Sequence, residues 1–172
     1  VQSPSVTIGF KVPELNHEDI PALDLLAGVL AMGESSRLYQ RLFYEKALVT
    51  EVSGGLYVPA DPGLFYFNLE VPDLKGLQPA IHEWAQVIQA IRERPPERDE
   101  IERVLVNLES EKIYSHQTVD SVASRYGFLK FVLGDLKHDQ LYIERLKALR
   151  PEDVRRVAER YLTPENTIWV TQ

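Results

Sequence analysis

The sequence lacks several features that would point directly to a function. It contains no cysteine, so disulfides and thiolate metal sites are excluded, and the redox compartment cannot be read from it. It has no run of about 18 apolar residues, so it predicts no membrane-spanning helix. Lys and Arg number 19 against 26 Asp and Glu, and the net charge of −7 argues against nucleic acids and anionic membrane surfaces as partners.

The chain also shows no signal peptide, and it begins at Val1 rather than methionine. We therefore expect it to be an excised or processed piece of a longer protein. What is present is the composition of an ordinary globular protein, with 172 residues, 44% of them hydrophobic and 26% charged. That length suffices for one domain with a single buried core.

The hydrophobic periodicity predicts an α+β fold. The alternation typical of strands occurs at residues 5–12, 49–59, 64–71 and 166–171. Helical spacing occurs at residues 18–32, 74–93, 97–115, 118–133, 139–149 and 151–161, and a further helix is predicted between the Ser35-Ser36 pair and the strand that begins at Val49. No linker or internal repeat divides the chain. We predict a single α+β domain over residues 1–172, with a mainly antiparallel sheet and helices packed on one face.

Glycines and aromatic residues carry more specific predictions. Gly63 ends an Asp-Pro-Gly turn and would supply a positive φ there. Gly54 and Gly55 indicate either a bulge in their strand or a close approach of another backbone. Three aromatic side chains are expected to point into the core: Trp84, Tyr126 and Trp169.

Residues 33–50, GESSRLYQRLFYEKALVT, predict a sharp corner between two helices. Gly33 can end the first helix, because glycine tolerates the left-handed backbone found just past a helix C-terminus. Ser35 and Ser36 can cap the second helix by accepting hydrogen bonds from its free amides. Leu38 then begins an apolar face. By itself this pattern predicts where two helices meet and no chemistry.

The charged residues near the corner are interpreted as structural. Arg37 and Arg41 are like-charged neighbours one helical turn apart, and such a pair is unfavourable unless each finds a carboxylate. Arg41 can reach Glu45. Arg37 can either anchor the corner through a salt bridge or touch a substrate, and we favour the anchor. Glu100 and Glu102 lie on different sides of their helix and are interpreted as part of a solvated surface.

Residues with catalytic chemistry do not form a recognisable motif. The four histidines, which we interpret as solvated or capping residues, are His17, His82, His116 and His138. None belongs to a His-x-x-Glu-His or His-Glu-x-x-His zinc motif. The corner lacks the second glycine of a nucleophile elbow and the lysine of a phosphate loop, so helix capping explains its two serines better. We predict no catalytic residue and no metal site in this chain.

Two stretches nevertheless resemble a known family. The corner GESSRLYQRLFYEKALVTEVSG precedes a Pro-Gly turn and the aromatic strand LFYFNLEV, and RPEDVRRVAERYLTPENTIWV lies near the end. With the long helix between them, they are similar to the second domain of the pitrilysin family. That family includes insulin-degrading enzyme, mitochondrial processing peptidase and many bacterial two-domain zinc peptidases. The resemblance covers nearly all 172 residues in the family's order.

The resemblance implies a zinc site elsewhere and several partners. In the family each half-chain carries two similar α+β domains, and a His-x-x-Glu-His motif lies on a helix of the first. Two half-chains, fused or separate, close over an unfolded peptide, and the second domain walls the chamber. The resemblance thus implies that this fragment holds no cofactor and is inactive alone, with zinc in the parent's other domain. Its implied partners are the preceding domain, a sister half-chain and a peptide substrate.

The resemblance also bears on which half-chain this is. In the family's zinc-free half, an arginine and a tyrosine seven residues later stabilise the carbonyl of the bound peptide. Alignment on the Ser-Ser-Arg-Leu corner places these positions at Phe43 and Thr50, so the pair is absent here. The resemblance therefore implies a zinc-bearing half-chain whose partner would supply the pair.

Alternatives to this interpretation stay open. One is a half-chain that has lost catalysis and serves in assembly, like the core proteins of the mitochondrial respiratory complex. Another is a small-ligand regulatory α+β module. The compartment is not given by the sequence; the resemblance fits a bacterial cell, with the periplasm as a candidate.

Overall fold

The computed structural model describes residues 3–114, 118–134, 136 and 138–172. Within these residues, one antiparallel sheet is formed by β1 (Ser5–Val12), β2 (Glu51–Tyr57), β3 (Gly63–Glu70) and β4 (Thr167–Thr171). The strands lie in the order β2-β3-β1-β4, so the first and last strands of the chain are neighbours and β2 and β4 form the edges.

The α-helices of the described residues follow the predicted order. They are α1 (Ile20–Ala31), α2 (Leu77–Glu93), α3 (Arg98–Tyr114), α4 (Val119–Phe128), α5 (His138–Ala148) and α6 (Pro151–Tyr161). The segments Tyr39–Glu45 and Leu129–Leu133 are π-helical, and short 3-10 turns cover Leu74–Gly76 and Pro164–Asn166. None of the described helices is both long and apolar enough to cross a membrane.

The core lies between the sheet and the helices, which pack on one face of it. Alternate residues of β1 and β3 point to this face, and Ile8, Phe10 and Phe67 are almost completely buried. Trp84 of α2 stacks on Phe10 with ring centroids 6.1 Å apart. Burial of each large apolar side chain contributes about 1.5–3 kcal/mol, so this layer dominates the stability of the fold. The predicted α+β architecture with helices on one face is confirmed.

Helix α1 is buried on nearly every side rather than along one stripe. It packs against β2, while α3, α5 and α6 contact it from other directions. Every residue of α1 is buried except Asp24, which is partly buried. Tyr142 of α5 donates a hydrogen bond to the Asp24 carboxylate. Burial raises the pKa of Asp24 to about 6, because it disfavours the charged form more than the Tyr142 hydrogen bond favours it.

The glycine predictions are partly confirmed. A Cβ atom on Gly54 would lie 2.7 Å from the carbonyl oxygen of Tyr66 and 2.9 Å from Ala31 Cβ, which is the predicted close approach. Pairing of β2 with β3 is continuous, so the alternative of a bulge is wrong. Gly63 does not have the predicted positive φ. Its lack of a side chain matters because a Cβ there would collide with the carbonyl oxygen of Tyr57.

The inner face predicted for residues 118–133 is correct in only part of its length. Thr118 Oγ1 accepts from the amide of Ser121 at 3.1 Å, as expected of a cap. Leu129 is 1% exposed, but Tyr126 is 48% exposed and does not point into the core. Tyr126 lies in α4, before the π-helical turn that begins at Leu129, so that turn changes the angular spacing only for the residues that follow it. The predicted inward side chain of Leu133 lies outside the described set.

Candidate functional site

The predicted corner is anchored by a bidentate ion pair. Gly33 has a φ of 76°, the left-handed conformation expected of it. Arg37 then donates to both carboxylate oxygens of Glu100, with Nε at 2.8 Å and Nη2 at 2.7 Å. Burial alone would raise the pKa of Glu100, but its hydrogen bonds from Arg37 and the Glu97 amide hold it below the ordinary value. The interpretation of Glu100 as a solvated residue is therefore wrong: it ties the corner to α3.

The predicted caps do not form through serine side chains. Ser36 is buried, and its Oγ has no hydrogen-bond partner among the described residues. The backbone takes over this role, because the Ser36 amide donates to Gly33 O at 3.1 Å and Ser36 O accepts from the Gln40 amide at 3.0 Å. No side-chain hydrogen bond links Ser35 to the described residues. Leu38 is completely buried and begins the apolar face of this helix, as predicted.

The second arginine of the corner bridges two elements. Arg41 Nη1 donates to Glu45 at 2.8 Å, as predicted, and its Nε donates to Glu83 of α2 at 2.8 Å. These hydrogen bonds, with Glu45 first and Glu83 second, raise the pKa of Arg41. Together, Arg37 and Arg41 fix the corner to α3 and α2, which describes a structural junction.

Phe43 and Thr50 lie in separate surroundings. The Phe43 ring stacks on Tyr39 with centroids 4.8 Å apart and meets Tyr44 edge-on at 5.4 Å. Thr50 is exposed just before β2, and its amide donates to Glu70 O at 2.8 Å. A phenyl ring cannot donate to a peptide carbonyl, so the position of Phe43 offers aromatic contact in place of the guanidinium that the resemblance would require.

The described histidines act locally. His17 Nδ1 accepts from the Asp19 amide at 3.1 Å, which is a capping role. His82 is exposed and lies 2.9 Å from Gln86 Nε2. His116 and the side chain of His138 lie outside the described set. Among the residues that the structure describes, no group of three or more His, Cys, Asp or Glu side chains is arranged to hold a metal ion.

A buried carboxylate that no sequence pattern indicates joins α1 to α6, near the two ends of the chain. Asp19 is 0% exposed. Tyr161 Oη donates to its Oδ2 at 2.7 Å, Arg160 Nη1 donates to the same oxygen at 3.0 Å, and Arg156 Nη1 lies 2.7 Å from Oδ1. These groups lower the pKa of Asp19 although burial alone would raise it, and burial with the Asp19 hydrogen bond raises that of Tyr161 to about 12. A lone Asp before a helix gives no sign of partners near the other end of the chain.

A groove lies at the open edge of the sheet. It lies between α2 and β4 and has a volume of about 340 Å³. Trp84 at its base is buried, as predicted, but Trp169 is 46% exposed and does not lie in the core. The two indoles meet edge-on with centroids 5.5 Å apart. Trp169 is exposed because β4 is an edge strand with no neighbour on its outer side among the described residues.

Comparison with known proteins assigns the family. The family model described as the Peptidase M16 inactive domain matches residues 1–108. The zinc protease PqqE of Helicobacter pylori is 24% identical over 168 residues, which make up 96% of this chain and 37% of that protein. The chain therefore spans little more than a third of that relative's length.

Solved structures show the same fold. An inactive peptidase domain from Bordetella parapertussis, whose parent is described as a candidate zinc protease, has a TM-score of 0.88 and 24% identity, covering 99% of this chain and 92% of that one. The peptidase M16 inactive domain from Pseudomonas fluorescens has a TM-score of 0.86 and 16% identity, covering 99% of this chain and 41% of that one. Since the family model matches more than half of the residues of this chain, the chain belongs to the family of Peptidase M16 inactive domains.

Proposed function

We propose that this chain is the non-catalytic, chamber-forming domain of a two-domain half of a zinc metalloendopeptidase that degrades or processes peptides. The observation that carries the proposal is its membership in the inactive-domain family, together with the length of the Helicobacter zinc protease, which has room for further domains. In this proposal the hydrolytic zinc lies in the preceding domain of the same polypeptide.

The sheet offers a surface suited to a chamber wall. Residues that alternate with the core-facing ones point away from the helices, and this face carries both apolar and polar groups. Ile168 pairs with Gly9 and Val170 with Thr7, so both lie on that face, where they are 52% and 57% exposed. An apolar surface with scattered hydrogen-bonding groups fits an unfolded peptide, which presents both kinds of chemistry. We name this surface, opposite the helices, the open face.

The proposal further places the chain in the zinc-bearing half. Its support is the resemblance, which puts Phe43 and Thr50 where the zinc-free half would carry its arginine and tyrosine. The first measurement is the sequence of the parent gene upstream of Val1. We expect a His-x-x-Glu-His motif there, and its absence would contradict this assignment and favour an assembly domain that has lost catalysis.

The chamber role is tested in the full-length parent. A photoreactive amino acid at Val170 of the open face is expected to cross-link a bound peptide substrate when the zinc-motif glutamate of the parent is replaced by glutamine. The matched control carries the same amino acid at Arg98, which lies on the helical side and is 89% exposed. Equal cross-linking at both positions, or none at Val170 in a parent that still binds peptide, would contradict the chamber role.

A further inference from the structure

The groove between α2 and β4 has the dimensions and chemistry of a binding site. Its volume of about 340 Å³ lies within the range of ligand pockets in proteins. Its walls are mostly apolar, and the side chains that matter most are Ile81, Trp84, Ile88, Arg92, Leu162 and Trp169. Arg92 is the one charged side chain among the described residues that line it, so any charge drawn to the groove is negative.

Two buried donors at this groove have no acceptor within the part of the chain that the structure describes. Trp84 is 4% exposed, and its Nε1 is enclosed without a hydrogen-bond partner among the described residues. The Nε of Arg92 is enclosed in the same way, while its Nη1 donates to Gln89 Oε1 at 3.2 Å. More than nine in ten buried polar groups in proteins are paired, so two unpaired donors on residues that line one groove are unusual.

The outer edge of β4 offers further hydrogen-bonding groups beside the groove. Ser5 and Gln172 exchange both backbone hydrogen bonds at 3.0 Å, and such pairs alternate along an antiparallel ladder. Ile168 and Val170 therefore bond to β1, while Trp169 and Thr171 direct their amides and carbonyls to the outer edge. This edge is unpaired among the described residues, and the Trp169 indole lies beside it in the groove.

We propose that an extended peptide segment with an acidic side chain binds along β4 as a further strand of the sheet. Its backbone pairs with Trp169 and Thr171, its inward side chains fill the groove, and its carboxylate meets Arg92. Addition of a strand to an exposed sheet edge is an established mode of peptide recognition, with the backbone providing affinity and pockets providing selectivity. The site lies on the helical side of β4, apart from the open face, and it does not depend on the proposed function.

The test uses the 172-residue chain and short synthetic peptides that alternate threonine and valine, acetylated and amidated at their ends. One glutamate is placed at each position in turn, and affinity is measured by isothermal titration calorimetry. We expect one position to bind best and its glutamine counterpart to bind about tenfold more weakly, since one charge-assisted hydrogen bond is lost. Arg92→Gln is expected to abolish this preference for glutamate. The matched control Arg98→Gln, on an exposed helix surface, is expected to retain it.

Amide hydrogen exchange supplies an independent measurement. Bound peptide is expected to slow exchange at Trp169 and Thr171, while Ile168 and Val170, already bonded to β1, change little. Four results would overturn the proposal. They are no binding at millimolar peptide, equal affinity for the glutamate and glutamine peptides, unchanged exchange at Trp169, or protection that depends on protein concentration without peptide. The last result would identify a second copy of the chain as the occupant.

Discussion

At the scale of the residue, Asp19 holds α6 against the start of α1. Its replacement by asparagine keeps the shape but removes the charge that Arg156 and Arg160 neutralise. Loss of one partner from a fully buried pair costs about 3–5 kcal/mol. The arginines are 48% and 56% exposed and stay solvated, so we expect Asp19→Asn to lower the free energy of unfolding by roughly 2–3 kcal/mol in urea titrations.

The control for this prediction is Glu159→Gln. Glu159 pairs with Arg155 on the exposed side of α6, and such surface pairs contribute about 0.2–1 kcal/mol. If Asp19→Asn cost no more than this control, the buried carboxylate would not stabilise the contact between α1 and α6.

Asp24 is expected to make the stability of the fold decrease as the pH rises. Its folded-state pKa of about 6 lies above the ordinary 3.8, so the folded state binds the proton more tightly. The stability it contributes is complete below pH 3.8 and is lost as the pH rises through 6. We expect the free energy of unfolding to fall by up to roughly 3 kcal/mol from this group between pH 4 and 7. Asp19, whose pKa is lowered, loses its contribution only as the pH falls below about 3.8.

The measurement for Asp24 is the difference in stability between the native chain and Asp24→Asn as a function of pH. We expect this difference to change between pH 4 and 7, because asparagine does not titrate. A constant difference across that window would contradict a raised pKa at this position.

Sequence reasoning at this scale reached only nearby partners. The pairing of Arg41 with Glu45 was predictable, because residues four apart on a helix face each other. The anchor role of Arg37 was predictable as well, but its partner Glu100 lies 63 residues away. Arg160 lies 141 residues from Asp19, and no local pattern marks such a contact.

At the scale of the element, alanine substitutions at two adjacent glycines of β2 are expected to have different effects on stability. A Cβ on Gly54 would press on the Tyr66 carbonyl and on Ala31 of α1, whereas one on Gly55 would find its nearest neighbour at 3.7 Å. We expect Gly54→Ala to cost about 1–3 kcal/mol, since it separates α1 from the sheet. Gly55→Ala is expected to be neutral or slightly stabilising. Thermal denaturation of both variants decides this, and equal effects would contradict the close approach.

A second comparison concerns the glycine that ends α1. Gly33 has open space around it, but its φ of 76° strains any other residue, so Gly33→Ala is expected to destabilise by about 1–2 kcal/mol. Gly127 also has open space but lies within α4, so Gly127→Ala is expected to stabilise by about 0.5–1 kcal/mol. Chemical denaturation should give opposite signs, and a stabilising Gly33→Ala would show that the corner does not need the left-handed backbone.

Elements were predictable where a pattern depends on the element alone. Alternation located all the described strands, and Pro21 and Pro151 marked helix starts correctly. The π-helical segments were not predictable, because apolar spacing does not distinguish them from α-helix over one or two turns. The exposure of Trp169 was not predictable either, because its alternation with Ile168 and Val170 does not reveal that β4 lies at an edge.

At the scale of the whole molecule, the helices are expected to differ in protection. Helix α1 is enclosed by the sheet and three other helices, whereas α4 exposes Val119 by 88% and Tyr126 by 48%. We expect α1 amides to exchange hydrogen only through global unfolding and α4 amides through local opening that costs at least about 2 kcal/mol less. Native-state hydrogen exchange tests this, with the amphipathic α6 as a control expected to follow α1. Equal protection of α1 and α4 would mean that the fold opens as one unit.

The burial of α1 on nearly every side could not be predicted from its sequence. The helix is so apolar that its spacing is compatible with one buried face and one solvent-exposed face. In the structure, α3 and α5 contact α1 and cover the side that this pattern would leave exposed. Which surfaces meet is decided by the path of the whole chain, and for the same reason the groove beside β4 has no signature in the sequence.

The hydrogen bonds between Ser5 and Gln172 place the start of β1 and the end of β4 at the same corner of the sheet. Tension applied to those two ends would act across the strands rather than along them. The backbone hydrogen bonds between β1 and β4 would then break one after another, instead of bearing the load together as they would under shear.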